Sequence, residues 1–381
     1  MQNIDVLKVL ITGASGFIGR NLQLSLRERS EVEVLCFTRD DDVKQLPKLL
    51  EGVEFVFHLA GVNRPQNPEE FESGNADLTH DLCQAVEAAA RSTGKRISTL
   101  FASSTQAEQD TAYGRSKLAA EGLLVTLGKN SQTPVYVFRL PNVFGKWCRP
   151  NYNSVVATFC HNISRGLPIQ INDDNATLSL VYIDDVTRQF IECMDGELAT
   201  TSPNRFVATQ PQYQTTVGHL ARQIQAFCDS RATLVTEPVG SGFVRALYAT
   251  YISYLPVEDF SYEVPQYSDQ RGDFVEMIKT PDCGQFSYFT AYPGVTRGGH
   301  YHQSKTEKFL VIKGQALFRF RNMQTGQMHE LHTFGERPQV VDTIPGWAHD
   351  ITNIGLDDLV VMIWANEIFD RSRPDTFNCP L

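Results

Sequence analysis

The chain has 381 residues and a net charge of −10, with 44 Asp and Glu against 34 Lys and Arg. This balance, with a pI near 5.4, argues against a nucleic-acid or anionic-membrane partner. No apolar run is long enough to span a bilayer. The length exceeds one ordinary core, so two domains are expected. The start, Met1-Gln2-Asn3-Ile4-Asp5, lacks a basic segment and leads into a strand, so no secretory signal is expected. The cysteines (Cys36, Cys83, Cys148, Cys160, Cys193, Cys228, Cys283, Cys379) show no paired spacing. Reduced thiols in a cytoplasmic protein are the expectation.

In chain order, 6–12, 32–37, 53–59, 97–103 and 135–140 are short apolar runs rich in β-branched residues. Continuous apolarity predicts parallel strands buried on both faces. Helical periodicity covers 75–91 and 112–127 between them, then 215–228 and 243–254. The alternation predicts an α/β Rossmann-type doubly wound parallel sheet over 1–255. After Pro256 short strands and turn pairs such as Pro293-Gly294 and Pro345-Gly346 take over. That predicts an all-β domain over 256–381.

Gly13-Ala14-Ser15-Gly16-Phe17-Ile18-Gly19 follows the first strand and opens a helix. Glycines let a backbone approach a pyrophosphate, and the helix N-terminus offers amides and a positive dipole end. The second strand ends in Thr38-Arg39, where an NAD enzyme usually carries an acid. Thr38 and Arg39 suit a 2′-phosphate, so NADPH is the expected cofactor. Tyr113 and Lys117 lie one helical turn apart on one face. The ammonium can lower the phenol pKa, and the phenol can give a proton to a carbonyl oxygen that receives hydride. A hydroxyl from Ser103-Ser104-Thr105 can hold the same oxygen.

Residues 6–255 resemble the extended short-chain dehydrogenase/reductases that modify nucleotide sugars. The likeness rests on the 12–19 loop, His58-Leu59-Ala60-Gly61, Asn75, Tyr113-x3-Lys117 and Arg139-Leu140-Pro141-Asn142-Val143-Phe144-Gly145. It implies cofactor contacts from Gly13, Ser15, Gly16, Phe17, Ile18, Gly19, Leu59, Ala60, Gly61, Asn75, Tyr113 and Lys117. His58–Gly61 corresponds to the family's fourth-strand motif. Ser104, Tyr113 and Lys117 correspond to its catalytic triad, and Asn142 to the segment that leads to the sugar. The following loop, Lys146 to Asn153, offers cations for a diphosphate and amides for a uracil or acetamido group. Asp184 is read as a helix cap.

Further on, Gly294-x5-His300-x-His302-x4-Glu307-x6-Gly314 precedes Pro345-Gly346-x2-His349-x3-Asn353. Three imidazoles and a carboxylate suit a first-row transition metal. His300 and His302 are expected on one face of one strand, Glu307 on the next, and His349 in a later hairpin. The pattern resembles both motifs of the cupin superfamily, a small β-barrel with a metal in its mouth. Zn2+ suits the set, and Fe2+, Mn2+ and Ni2+ fit the same ligands. The second motif departs from the usual Pro-x-Gly. Lys305, Lys308 and Tyr301 lie near the ligands in sequence, and none is assigned as a base. His329 and His332 are expected on a surface hairpin.

A metal beside a ketone acidifies the neighbouring C–H, so a sugar 4-ketone can be epimerised at C3 and then reduced at C4. Residues 101–107, 142–155 and 298–302 resemble, along the whole chain, bifunctional enzymes of capsule and lipopolysaccharide O-antigen synthesis that fuse such a reductase to a cupin. That likeness implies a step toward UDP-N-acetyl-L-fucosamine on a UDP-linked 4-keto-6-deoxy-acetamido sugar. It also implies a homodimer with neither nucleic-acid nor membrane partner. The competing reading is a single-activity NADPH-dependent reductase whose cupin binds sugar or dimerises.

Overall fold

The computed structural model describes residues 6–381 except 65–66, 68–70, 198–205, 270–271, 276, 279–283 and 368–371. Cys283 lies outside the described residues. The chain forms two compact units, Met1–Val143 with Ser179–Tyr213 and Phe144–Leu178 with Gln214–Leu381. The change of texture near Pro256 marks where strands take over, but compactness divides the chain elsewhere. Segments 144–178 and 214–255 group with the C-terminal strands because they bond to one another and to those strands. Arg165 Nη1 and Ser164 Oγ both donate to the Tyr254 carbonyl (2.8 and 3.2 Å). The Phe227 ring meets Tyr248 edge-on at 5.1 Å.

The first unit holds a parallel sheet. Its strands are β1 (Leu7–Thr12), β2 (Val32–Phe37), β3 (Phe55–His58), β4 (Ser98–Ser104) and β5 (Val135–Leu140), in the order β2-β1-β3-β4-β5, with Phe206–Val207 beyond β5. Helices α1 (Phe17–Arg27), α2 (Leu46–Leu49), α3 (Leu78–Thr93) and α4 (Ala112–Ser131) connect them. Successive strand residues serve opposite faces. Leu10, Val56, Phe101 and Val137 pack with Leu82, Val86 and Leu124. Val9, Ile11, Phe57, Leu100 and Phe138 pack with Leu22, Leu26 and Phe190. This is why apolar residues line both faces of these strands. The order reverses between β1 and β3, where open α/β sheets bind ligands at the carboxyl ends.

Strand numbering departs from the expectation. His58 ends the third strand, Ser104 the fourth and Leu140 the fifth, because a helical turn (Val43–Gln45) and the short α2 connect β2 to β3 among the described residues. The expected helix 75–91 begins instead as a widened π-turn, Glu72–Asp77, that runs into α3. Such turns are rare and often mark functional positions. The Thr111 hydroxyl accepts from Gly114 N–H and caps α4.

In the second unit, helices Val155–Ile163, Val217–Thr233 and Gly242–Ile252 accompany two five-stranded antiparallel sheets. One orders Ser261–Glu263, Gln339–Asp342, Glu307–Lys313, Leu359–Ala365 and Gln285–Ala291. The other orders Met328–Phe334, Gln315–Asn322, Trp347–Asn353, Thr296–Tyr301 and Phe377–Asn378. Phe260 sits edge-on to Phe320 (5.6 Å) and Trp347 (5.0 Å).

A buried charge cluster ties this unit together. Asp342 accepts from Lys308 Nζ at 2.5 Å and from Arg231 Nη2 at 3.0 Å, and both cations lie over the Tyr262 ring. Burial opposes the Lys308 charge, and the Asp342 carboxylate more than offsets it, so the ammonium is held above its usual range. Removing one partner leaves the others uncompensated in a dry site. Asp342→Ala is expected to cost about 3–5 kcal/mol in urea unfolding. The triple variant Asp342→Leu, Lys308→Met and Arg231→Met should recover most of that loss, and an Asp342→Ala variant of wild-type stability would refute the assignment.

Candidate active sites

The carboxyl ends of β1 and β3 form a glycine cradle. Gly13 takes φ +69, and a Cβ there would stand 2.6 Å from Ala60 N. A Cβ on Gly19 would stand 2.4 Å from the Gly13 carbonyl. Helix α1 starts at Phe17, after an extended Gly16 and without a side-chain cap, so its first amides are not met by a capping side chain. Ser15 and Gly16 are exposed, and Ile18 is half-buried. Leu59 and Ala60 follow β3, and Gly61 is exposed. A Cβ on Gly61 would press on Asn75 Oδ1 (2.7 Å) and Lys117 Nζ (2.9 Å). At the end of β2 Arg39 is exposed. Thr38 is engaged by Asp41, whose Oδ2 accepts from the Thr38 N–H (2.7 Å) and hydroxyl (2.8 Å).

A buried polar chain braces this cradle. The Thr12 hydroxyl meets His58 Nδ1 at 2.7 Å, and His58 Nε2 meets the Thr79 hydroxyl at 2.8 Å. Thr79 in turn donates to the Asn75 carbonyl (2.6 Å). Burial, with Lys117 nearby, holds the His58 pKa down at about 3, so the ring is neutral. The Asn75 amide bonds both polar atoms of Val62 (3.0 Å each) and the Ser116 hydroxyl (2.9 Å). The π-turn thus fixes Asn75 against α4.

On α4, Tyr113 is half-buried. Burial raises its pKa, and a hydrogen bond with Ser104 works against that rise. Lys117 is 6 % exposed; its Nζ donates to the Ala102 carbonyl (3.2 Å) and lies 4.8 Å from the Phe101 ring centre. Burial lowers its pKa to about 8, against an opposing pull from Glu121. The three adjacent hydroxyls separate by strand alternation. Ser103 Oγ donates to the buried Glu121 (2.6 Å), which also takes Arg139 in two hydrogen bonds (2.9 and 2.7 Å). Ser104, one residue on, reaches Tyr113 and also accepts from Gln106 N–H. Thr105 begins the next helical turn. Of the expected sugar-side residues, Asn142 and Asn153 are exposed, whereas Lys146 is 1 % exposed. The Lys146 stem and the Trp147 ring fill the space beside Gly346.

In the second unit His300, His302, Glu307 and His349 bring one ligand atom each to within 4.8 Å of one another. His300 and His349 are cross-strand partners. His302 lies just past its strand, which ends at Tyr301, and a bulge between Gly298 (φ +94) and His300 shifts the register ahead of both histidines. Glu307 opens the next strand. Its Oε2 lies 3.1 Å from His302 Nε2 and 3.6 Å from His349 Nε2. The Pro345-Gly346 turn joins the two motifs, since Gly346 N–H donates to the His302 carbonyl (2.9 Å).

Burial and the neighbouring imidazoles hold the His300 pKa down at about 3, and burial lowers that of His349. Burial opposes the Glu307 charge, but His302 and His349 hold its carboxyl well below the usual range. Neutral imidazoles and an ionised carboxylate are the forms that ligate metals. His349 Nε2 is buried without a hydrogen bond. An orphaned nitrogen inside a cluster of donors fits a transition metal.

Around this cluster, Lys305 Nζ lies 3.5 Å from Glu307 Oε1. Lys308 belongs to the Asp342 cluster instead, and Tyr301 stacks on Phe377 at 5.3 Å. His332 is exposed as expected, but His329 is half-buried against Phe260 and Phe320.

Residues 9–207 match the NAD dependent epimerase/dehydratase family, and 267–377 match the polysaccharide biosynthesis C-terminal domain. The chain is 60 % identical over 373 residues to a Pseudomonas aeruginosa UDP-2-acetamido-2,6-beta-L-arabino-hexul-4-ose reductase, covering 98 % of each. The chain belongs to the NAD dependent epimerase/dehydratase family. Among solved structures, the capsular polysaccharide assembling protein CapF of Staphylococcus aureus is similar at 39 % identity and TM-score 0.66, over 98 % of this chain and 100 % of that one. CapF with the inhibitor 3-isopropenyl-tropolone is similar at 35 % identity and TM-score 0.62, over 98 % and 100 %.

Within that family frame, the sequence reading missed Asp41 on Thr38, Glu121 on α4 beside Ser103 and Arg139, and the His58 hydrogen-bond chain. Each is a single polar residue whose partner is distant or whose spacing is common in helices. Lys117 gives a test. Its ammonium is charged in both folded and unfolded chains below about pH 8, and the folded form carries the desolvation cost there. That cost fades as pH rises from about 8 toward 10.5. Without cofactor, Lys117→Met should therefore gain roughly 1–2 kcal/mol at pH 7, after deducting the lost bond to Ala102. Thermal unfolding at pH 7 and pH 10 should show the gain shrinking at the higher pH. A destabilised variant at pH 7 would contradict this account.

Proposed function

We propose that this chain is a bifunctional nucleotide-sugar enzyme of UDP-N-acetyl-L-fucosamine biosynthesis. The C-terminal domain, residues 256–381, epimerises C3 of UDP-2-acetamido-2,6-dideoxy-β-L-arabino-hexos-4-ulose. The N-terminal domain, residues 1–255, reduces the C4 ketone with NADPH to UDP-2-acetamido-2,6-dideoxy-β-L-talose. The observation that carries the reading is the 60 % identity, along 98 % of both chains, to a reductase named for an arabino-hexul-4-ose.

The Gly13–Gly19 cradle would hold NADPH, which would supply the hydride for C4. Ser104 and Tyr113 hold the ketone oxygen, and the Tyr113 phenol gives it a proton as negative charge develops there. Lys117 stabilises the phenolate that remains until solvent returns the proton. Arg39 is the residue expected to meet a 2′-phosphate, in line with NADPH. Asn142 and Asn153 are proposed to meet the nucleotide sugar.

In the second unit His300, His302, Glu307 and His349 would hold a divalent transition metal, with Zn2+ the proposed ion. Such an ion would supply Lewis-acid polarisation of the C4 ketone, which acidifies C3. Loss of the C3 proton and its return on the opposite face inverts that centre without net oxidation. The tropolone bound to CapF is in line with this, since adjacent oxygens on a ring suit a metal. A second reading has one observation behind it. The P. aeruginosa relative is named only as a reductase, so the second unit would bind sugar or dimerise without turnover.

One experiment separates the two readings. The 4-keto UDP-sugar is followed by proton NMR in D2O without NADPH, with metal-loaded and chelator-stripped protein and with Tyr113→Phe. The proposal expects metal-dependent loss of the C3 proton signal in wild type and in Tyr113→Phe. With NADPH added, Tyr113→Phe should reduce at least 100-fold more slowly, roughly the contribution of general acid catalysis. A C3 signal that persists while NADPH still drives reduction rejects the epimerase and leaves the single-activity enzyme. We extend the proposal to a homodimer in the cytoplasm. Light scattering should give twice the chain mass of 42.8 kDa, and a monomer mass rejects it.

A further inference from the structure

The turn from His302 to Glu307 carries two of the four clustered ligands, and side chains set its shape. The N–H groups of Gln303, Ser304 and Lys305 all donate to the Asp375 carboxylate (2.9, 2.9 and 2.7 Å), as does the Ser304 hydroxyl (3.0 Å). Thr306 N–H donates to Asn366 Oδ1 (2.9 Å), and Glu307 N–H to Thr343 Oγ1 (2.8 Å). All five amides from 303 to 307 are therefore held by side-chain oxygens, three of them by one residue. Three successive amides around one anion form a nest.

The same residue touches the ligand ring. The Asp375 carbonyl oxygen lies 2.6 Å from His302 Nδ1. A carbonyl only accepts, so Nδ1 carries the proton. With a metal bound, the lone pair of the neutral ring would then be on Nε2, the atom on the Glu307 side. Asp375 takes φ +32, a left-handed backbone that lets its carboxylate and its carbonyl serve the same turn. Residues 376–379 lock it in place. Thr376 Oγ1 accepts from Lys305 Nζ (3.0 Å). Phe377–Asn378 pairs with the His300 strand, and Cys379 N–H donates to the Gly299 carbonyl (2.7 Å).

We propose that Asp375 is a positioning residue of the metal centre, its carboxylate shaping the 303–305 turn and its carbonyl fixing the His302 tautomer. The inference rests on the metal reading above. Partners that orient metal-bound histidines commonly change metal affinity 10–100-fold when removed. Asparagine is not equivalent here. It offers one acceptor oxygen to four donors and brings two N–H donors of its own.

The test uses the full chain, stripped of metal, as wild type, Asp375→Asn, Asp375→Ala and His349→Ala. Zn2+ is titrated against a chromogenic chelator, and the visible spectrum of the Co2+ form reports ligand geometry. NADPH affinity is measured alongside. The expected result is a Zn2+ Kd about 10–100-fold higher in both Asp375 variants, with an altered Co2+ spectrum and unchanged NADPH affinity. His349→Ala should lose the metal. Amide exchange across 303–305 should speed up in Asp375→Asn, a readout that needs no metal. Wild-type Kd, spectrum and exchange in Asp375→Asn would overturn the inference while the metal reading stands. A wild-type chain that binds neither Zn2+ nor Co2+ would overturn the metal reading, and this inference with it.

Discussion

A buried side chain keeps its charge only where an opposite charge or well-placed dipoles compensate it, and both candidate sites are organised around that demand. Lys117 and Glu307 are each removed from water. Glu121 could neutralise Lys117, but Ser103 and Arg139 already occupy its carboxylate. The ammonium is left with a carbonyl and an aromatic face, and its pKa falls. Glu307 gains rather than loses ionisation, because His302 and His349 converge on its oxygens. The Lys308–Asp342–Arg231 cluster is the contrast. Its carboxylate serves two cations directly, and it joins a helix to the barrel strands. Incomplete compensation around Lys117 leaves its charge open to any further charge brought near it.

Much of this was legible in the chain. The β1 strand, the glycine loop and the Tyr113-x3-Lys117 helix follow from local spacing, since each lies within a few residues. Continuous apolar runs announced a sheet buried on both faces, and the two core clusters bear that out. His300, His302 and Glu307 were visible for the same reason, and His349 through the Pro345-Gly346 turn just ahead of it. Their exact presentation was not, because the His300 strand ends at Tyr301 and leaves His302 in the turn that follows.

What stayed hidden depends on contacts between distant residues or on backbone details without a sequence signature. Spacing alone leaves Ser103, Ser104 and Thr105 equivalent, and only Glu121 on α4, which takes Ser103, separates it from the Ser104 that meets Tyr113. The π-turn at Asn75 reads as ordinary helix. Lys146 looks like a cation offered to a phosphate, yet its stem packs beside Gly346, 200 residues away. The partition into units was hidden too, because the helices Val155–Ile163, Val217–Thr233 and Gly242–Ile252 read like the rest of an α/β domain. Only their bonds to later strands reveal where they belong.

Asp375 and His302 are 73 residues apart. A ribosome delivers the two histidines and the glutamate of the first motif, then His349, and only afterwards the carboxylate that shapes their turn. The barrel's ligands thus exist as chemistry before they exist as geometry. During synthesis the nascent chain passes through a stage in which all four donors are present while the amides of 303–305 still face water. Order of translation and order of assembly run opposite to each other at this site, and the last-made strand closes what the first-made strand began.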